Sequence, residues 1–421
     1  MRHREPARRA LAALALVVIL GSSAALVASE FDWPQWLGTA RDGKSKEAGL
    51  LKSWPKEGPP LAWKATGLGE GFSTPSIANG RIFTMSNREK VEYVLCLEEK
   101  DGKETWASAT GPSGGGGGYP GPRSTPTVDG ELLYALGCRG ILVCLKAADG
   151  QEVWRKDIRK EFGGQVGGWD YSESPLVDGE KLVVTPGGKK AALAALNKKT
   201  GETLWTCPIP EAGNAEYSSV IAADVEGTRQ YIQFLKKGVV GVAAADGRFL
   251  WRYDKPANGT ANCSTPLFAD GHVFAASAYG NGGGLAKVTK DGDGFKAEEV
   301  YFTKMMRNHH GGMVLIDGFL YGSDEGSLVC LDFKTGQVKW AERAPGKGSI
   351  LFADGRLYYR NEGKKGTLFL VEANPEKYVE EGRFDQPDRS GREAWPHPVI
   401  ANGRLYVRDQ DLLLCYDVKA K

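Results

Sequence analysis

The chain has 421 residues, 41% of them hydrophobic, with 56 glycines and 11 tryptophans. Its first 29 residues carry four arginines against one glutamate, so the net +2 of the whole leaves about −1 for the rest. A near-neutral body lacks the basic stripe that holds nucleic acid by counterion release. Abundant glycine and aromatic residues without helical periodicity exclude a helical solenoid and predict short strands joined by tight turns.

The N-terminus reads as an export signal. Arginines in MRHREPARR precede the uncharged run 10–28, and the small residues of AALVAS stand just before Glu30. Cleavage after Ser29 removes a signal peptide at 1–29 and leaves no membrane span in the mature protein. An uncleaved anchor is the alternative, because the run nearly reaches spanning length. Either way the protein is exported, to the periplasm or beyond. Residues 30–58 form an N-terminal extension.

From there a repeat dominates. One element is a hairpin of the form S-T-P-x-hydrophobic-x-(D/N)-G-x-hydrophobic-(Y/F). It occurs as STPSIANGRIF from Ser73, STPTVDGELLY from Ser124, ESPLVDGEKLV from Glu173 and STPLFADGHVF from Ser264. Looser copies start at Tyr217, Gly311, Gly348 and Pro396, making eight. A second hairpin ends in tryptophan. Trp106, Trp154, Trp205, Trp251 and Trp340 each lie four residues after the glycine of a DG or TG turn. Such turns require a positive φ at glycine, and the constant spacing aims each indole at the same neighbouring surface. Each unit therefore reads as four short antiparallel strands. A lone sheet of that kind cannot bury both faces, whereas radial stacking can.

The expected fold is all-β: a single eight-bladed β-propeller over 59–421. Its blades run near 68–109, 110–157, 158–207, 208–254, 255–303, 304–343, 344–385 and 386–421. The last is one strand short, and the segment GPPLAWKATG, with Trp63 in the tryptophan place, would complete it and close the ring. Seven blades with one irregular is the alternative. The fifth and seventh units lack the tryptophan.

Cys96, Cys144, Cys330 and Cys415 occupy equivalent strands of different blades. They cannot all pair and read as small buried hydrophobes. Cys138, Cys207 and Cys263 have no assigned role.

The segments AADGQEVW, NKKTGETLW, AADGRFLW and DFKTGQVKW resemble the tryptophan-docking motif of the PQQ-like (quinoprotein alcohol dehydrogenase-like) propeller family, and the similarity spans essentially all of 59–421. FDWPQWLGTARDGKS resembles the segment that precedes such propellers in exported bacterial proteins. The resemblance implies the propeller fold and brings two functional classes: calcium- and PQQ-dependent dehydrogenases, and non-catalytic scaffolds of outer-membrane assembly. The sequence departs from the enzymes in having no adjacent cysteine pair and no C-x-x-C-H. It departs from the assembly lipoprotein in having no cysteine near the N-terminus.

Residues entering the innermost strands face the mouth of the axial channel. The aligned positions are Phe72, Arg123, Ser172, Tyr217, Cys263, His310, Lys347 and Trp395, with neighbours Glu173, Asn262, Asn308, His309 and His397. Eight positions with one backbone role carry eight different side chains, which marks a binding mouth for a small ligand or a protein partner. Trp169 and Asp170, in GGQVGGWDY, are placed to overhang it. The glycine run at 111–122 lacks the lysine and helix of a phosphate loop and reads as a flexible connection.

Three functions follow. The first is an extracytoplasmic binding scaffold without a complete catalytic set. The second is a PQQ-dependent oxidoreductase. The third is a metal-assisted enzyme built on His309, His310 and His397.

Overall fold

The turn glycines set the architecture. In the computed structural model, which describes Met1 and residues 29–420, Gly102, Gly150, Gly201, Gly247 and Gly336 all have φ between 71° and 76°. Each reverses the chain between the third and fourth strand of a sheet. The expected signal at 1–29 lies almost entirely outside the described residues. No helix among the described residues is long and apolar enough to cross a membrane.

The 32 strands assemble into eight four-stranded antiparallel sheets, arranged as an eight-bladed β-propeller. The sheets cover 76–112, 127–157, 176–207, 221–253, 267–303, 313–342, 348–384 and 399–417 with Leu61–Ala65. In the last, Leu61–Ala65 pairs antiparallel with Leu412–Asp417, so an N-terminal strand closes the ring. No blade is left open.

Four of the five indoles at that spacing, and Trp63, weld neighbouring blades as expected; Trp251 instead turns into its own blade, lies over Gly241 and donates to Gln230 Oε1 at 2.7 Å. Trp154 donates its Nε1–H to the Lys198 carbonyl of the next blade at 3.0 Å, Trp205 to Ala244 at 3.3 Å, and Trp340 to Asn374 at 2.8 Å. Trp63 reaches Glu99 across the closure at 3.1 Å. Beneath Trp63, Trp106, Trp154 and Trp205 lies the turn glycine of the following blade. A side chain on it would strike the indole, so that glycine is required by contact as well as by φ. An indole so placed buries on the order of 150–250 Å².

The two irregular blades solve the same problem differently. Tyr301 stands in the tryptophan place of the fifth blade, packs over Gly336 and donates to Phe333 O at 2.9 Å. The seventh has Gly382 there, and Trp54 of the N-terminal extension lies against that glycine and packs on Tyr358, ring centres 5.7 Å apart. All eight outermost strands also carry a β-bulge one residue before the docking position, for example at Val153, Leu204 and Val300. Bulges increase twist and blunt an edge that would otherwise recruit another strand.

The seven cysteines are free, and all but Cys263 are buried. Burial pushes the Cys144, Cys330 and Cys415 thiols up to about 12. They pack as hydrophobes.

Candidate functional site

Residues 32–50 decide what the axis of the propeller can be. This stretch runs across the centre of the ring and touches every blade. Trp33 bridges Ile77 of the first, and the Pro34 carbonyl accepts from Val128 N of the second at 2.8 Å. Arg41, fully buried, donates to Ser174 O and Pro175 O of the third and to Val220 O of the fourth. Trp36 Nε1 donates to Thr265 Oγ1 of the fifth at 3.0 Å, and Lys44 Nζ reaches Leu315 O of the sixth. Ser45 N donates to Phe352 O of the seventh, and Glu47 accepts from Gly403 N of the eighth at 2.7 Å. The axis is thus no open tunnel. It is a cup with Trp36 at its floor.

The cup encloses about 910 Å³ of empty space, its open mouth included. Phe72, Arg123, Tyr217, His309, His310 and Trp395 line it, as do Ser172 and Cys263. Each precedes the innermost strand of a different blade, apart from the adjacent histidines. Trp36, Tyr119, Trp169 and Tyr279 complete the wall. Phe72, Tyr119 and His310 surround Trp395, with ring centres 4.6, 4.8 and 5.0 Å from it. Trp169 meets Tyr217 edge-on at 5.6 Å.

Two connections shape the rim. The glycine-rich stretch 111–122, expected as a flexible connection, folds against Trp169. A Cβ on Gly117 would sit 2.3 Å from the Trp169 nitrogen, so only glycine allows this approach. Asp170 ties the two loops by accepting from Gly115 N at 3.0 Å, while its neighbour Trp169 faces the cup.

The remaining sequence candidates sit outside the lining. Glu173, Asn262, Asn308 and His397 are at most 3% exposed and serve as brackets between strands. Glu173 accepts from Thr185 N and Gln233 Nε2, and burial raises its carboxyl to about 7. Asn262 Nδ2 donates to Leu235 O, and Asn308 Nδ2 to Gly312 O and Ser323 O. His397 contacts the His310 carbonyl at 2.8 Å and packs tilted against Trp36, ring centres 4.6 Å apart. Successive residues of an extended chain face opposite sides, which is why Ser172 and Cys263 look into the cup while the adjacent Glu173 and Asn262 do not. Lys347 lies behind the wall. Its ammonium donates to His309 Nδ1 at 2.8 Å and pairs with Glu362 at 3.1 Å.

That bond fixes the His309 tautomer: Nδ1 accepts, leaving the proton on Nε2, 3.2 Å from the Tyr279 hydroxyl. Burial, reinforced by Lys347, holds His309 down at about 3. Burial also holds His397 at about 4 and His310 well below its ordinary value. All three imidazoles are neutral at neutral pH.

Among the described residues no group of three or more His, Cys, Asp or Glu side chains is placed to hold a metal ion. The lining contains no carboxylate. Calcium takes six to eight oxygen ligands, usually including carboxylates. The residues present therefore do not fit a calcium–quinone pair in the cup.

Sequence reasoning missed Trp36, Tyr119 and Tyr279. Trp36 lies in FDWPQWLG, where two tryptophans occur outside any repeat, and that was the available signal. Tyr119 and Tyr279 sit in connections whose course no repeat dictates.

Fold and wall together define a PQQ-like β-propeller with an aromatic axial cup. The family described as outer membrane protein assembly factor BamB matches residues 90–342, and the chain belongs to it. The assembly factors BamB of Shewanella oneidensis and Yersinia pestis are each 24% identical to it. The matches cover 72% of this chain and 72% of the former, and 78% of this chain and 80% of the latter. The Kangiella koreensis factor is 29% identical over 37% of this chain, which spans about a third (35%) of that relative. Among solved structures, quinohemoprotein alcohol dehydrogenase from Comamonas testosteroni superposes with a TM-score of 0.65 at 13% identity, over 93% of this chain and 81% of that one. At that identity the likeness is one of fold.

Proposed function

We propose that this chain is an exported, non-catalytic binding propeller that serves the assembly of outer-membrane proteins and engages its ligand or partner at the aromatic mouth. The family match over 90–342 carries the reading, because the relatives are named for that role. The cup adds to it. Its wall offers rings, neutral imidazoles and one guanidinium, a composition suited to holding a group rather than transforming one. Export rests on the arginine-then-apolar N-terminus, with residues 1–29 removed.

The test is made in the host. Deleting the gene should lower the amount of β-barrel protein in the outer membrane, and restoring the full chain should recover it. A chain altered at the mouth, Trp395→Ala, should recover it only in part. Unchanged barrel protein after deletion would end the assembly role. N-terminal sequencing of protein recovered from the envelope would show whether it begins near Glu30.

A further inference from the structure

The cup holds one charged group, Arg123, that no carboxylate among the described residues pairs with. The Arg123 guanidinium donates to the Trp169 and Tyr119 carbonyls, both at 3.0 Å, and lies over the Phe72 and Trp395 rings at 5.5 and 5.9 Å. The nearby carboxylate is committed elsewhere: Asp170 accepts from Gly115 N and sits 3.5 Å from Arg139. The second cation, Lys347, is paired with Glu362. With both lining histidines neutral, the wall carries a single positive charge.

A guanidinium removed from water and denied a carboxylate is costly, and the cost is recovered by an anion that enters with it. Arginine presents a planar fork suited to two carboxylate oxygens. Around it stand Phe72, Trp395 and Trp169, whose rings favour an aromatic body. One further polar atom is unspent. His310 Nε2 is buried and has no hydrogen-bond partner, so it offers a site for a ligand N–H or O–H.

We propose that the cup binds a small aromatic monoanion, with its carboxylate on Arg123 and its ring between Trp395 and the opposite wall of Trp169. The inference rests on the reading of the mouth as a binding site. It also separates this cup from one built for PQQ, a tricarboxylate that would bring three negative charges against one guanidinium.

The experiment titrates 1-naphthoate and its neutral counterpart 1-naphthylmethanol into the purified full-length protein, followed by calorimetry. Naphthoate should bind saturably, one per chain and about tenfold tighter than the alcohol, a ratio worth about 1.4 kcal/mol. Arg123→Met should bring the ratio close to one while keeping the alcohol's affinity, and Arg123→Lys should restore part of it. Trp395→Ala should weaken both probes alike. Equal affinities in the unaltered protein, no saturable naphthoate binding, or calcium-strengthened PQQ binding would each overturn the proposal. The comparison of the two probes on the unaltered chain decides the matter even if Arg123→Met fails to fold. Because it uses isolated protein, its failure is distinct from unchanged barrel levels in a deletion strain.

Discussion

Gly201 lies so close under the Trp154 ring that a Cβ would come within 2.8 Å of the indole. Its φ of +74° is also one that side chains rarely adopt. Gly201→Ala therefore faces two penalties, backbone strain and overpacking of a ring. We expect it to cost about 2–4 kcal/mol, measured by urea unfolding. Gly292→Ala, with φ +57° but nothing within 4 Å of its Cβ, should cost only about 1 kcal/mol. Equal losses at the two sites would mean that the docked ring exerts no pressure on the glycine.

Arg41 is the deepest pin of the N-terminal segment. It is buried and donates to the main-chain carbonyls of Ser174, Pro175 and Val220, while its Nε–H donates to Gln35 Oε1 at 2.9 Å. Arg41→Met leaves those of Ser174 and Val220 without this donor, while Pro175 O keeps the Thr127 hydroxyl. The expected loss is about 3 kcal/mol, read as a fall in Tm. A Tm unchanged by Arg41→Met would show that the segment adds nothing to the stability of the ring.

Acid sensitivity follows from the neutral imidazoles. His397 is held at about 4 and His309 at about 3, both below the ordinary 6.5, chiefly by burial. Below pH 6.5 the unfolded chain takes up protons that the folded chain refuses, so stability falls as pH drops from 6.5 toward 4. The slope is at most about 1.4 kcal/mol per pH unit for each histidine. Glu173 works in the opposite direction. Its carboxyl is raised to about 7 by burial, so its contribution is lost as pH rises from about 4.5 through 7. Unfolding midpoints across pH 4–7 should lose one histidine's share of the slope in His397→Gln. An identical profile would contradict the assignment.

The thiols give a direct check on the ring. Six cysteines are buried, and Cys263 at the cup is held up at about 12 by burial. Folded protein should react with iodoacetamide at fewer than one thiol per chain in neutral buffer, and at all seven once unfolded in guanidinium. Rapid labelling of Cys96 or Cys144 in the native state would show that those strands are not packed.

The repeat made the ring legible because its signal is multiplied. The spacing from Gly201 to Trp205 recurs in five blades, and in four of them the indole docks on the neighbour, Trp251 being the exception. Contacts made once leave no such trace. Trp36 on the cup floor, Trp54 standing in for the indole missing at Gly382, and Arg41 at the axis belong to a segment with no internal copy. The mouth was legible at half resolution. Alignment located the strand entries, so Phe72, Arg123, Tyr217, His310 and Trp395 fall together. Which side chain of an adjacent pair looks inward depends on the local pleat, and Glu173 and Asn262 turn to strand-bracing bonds instead.

The pairing of Leu61–Ala65 with Leu412–Asp417 joins two strands far apart in the sequence, with Lys64 opposite Leu414. Contacts that join such distant points form late, since their loop-closure cost must be met before they stabilise anything. A nascent chain emerging from the ribosome can shape individual sheets, but it lacks the means to seal the circle until Leu412–Asp417 is out. Synthesis itself thereby postpones closure until that late strand has been made.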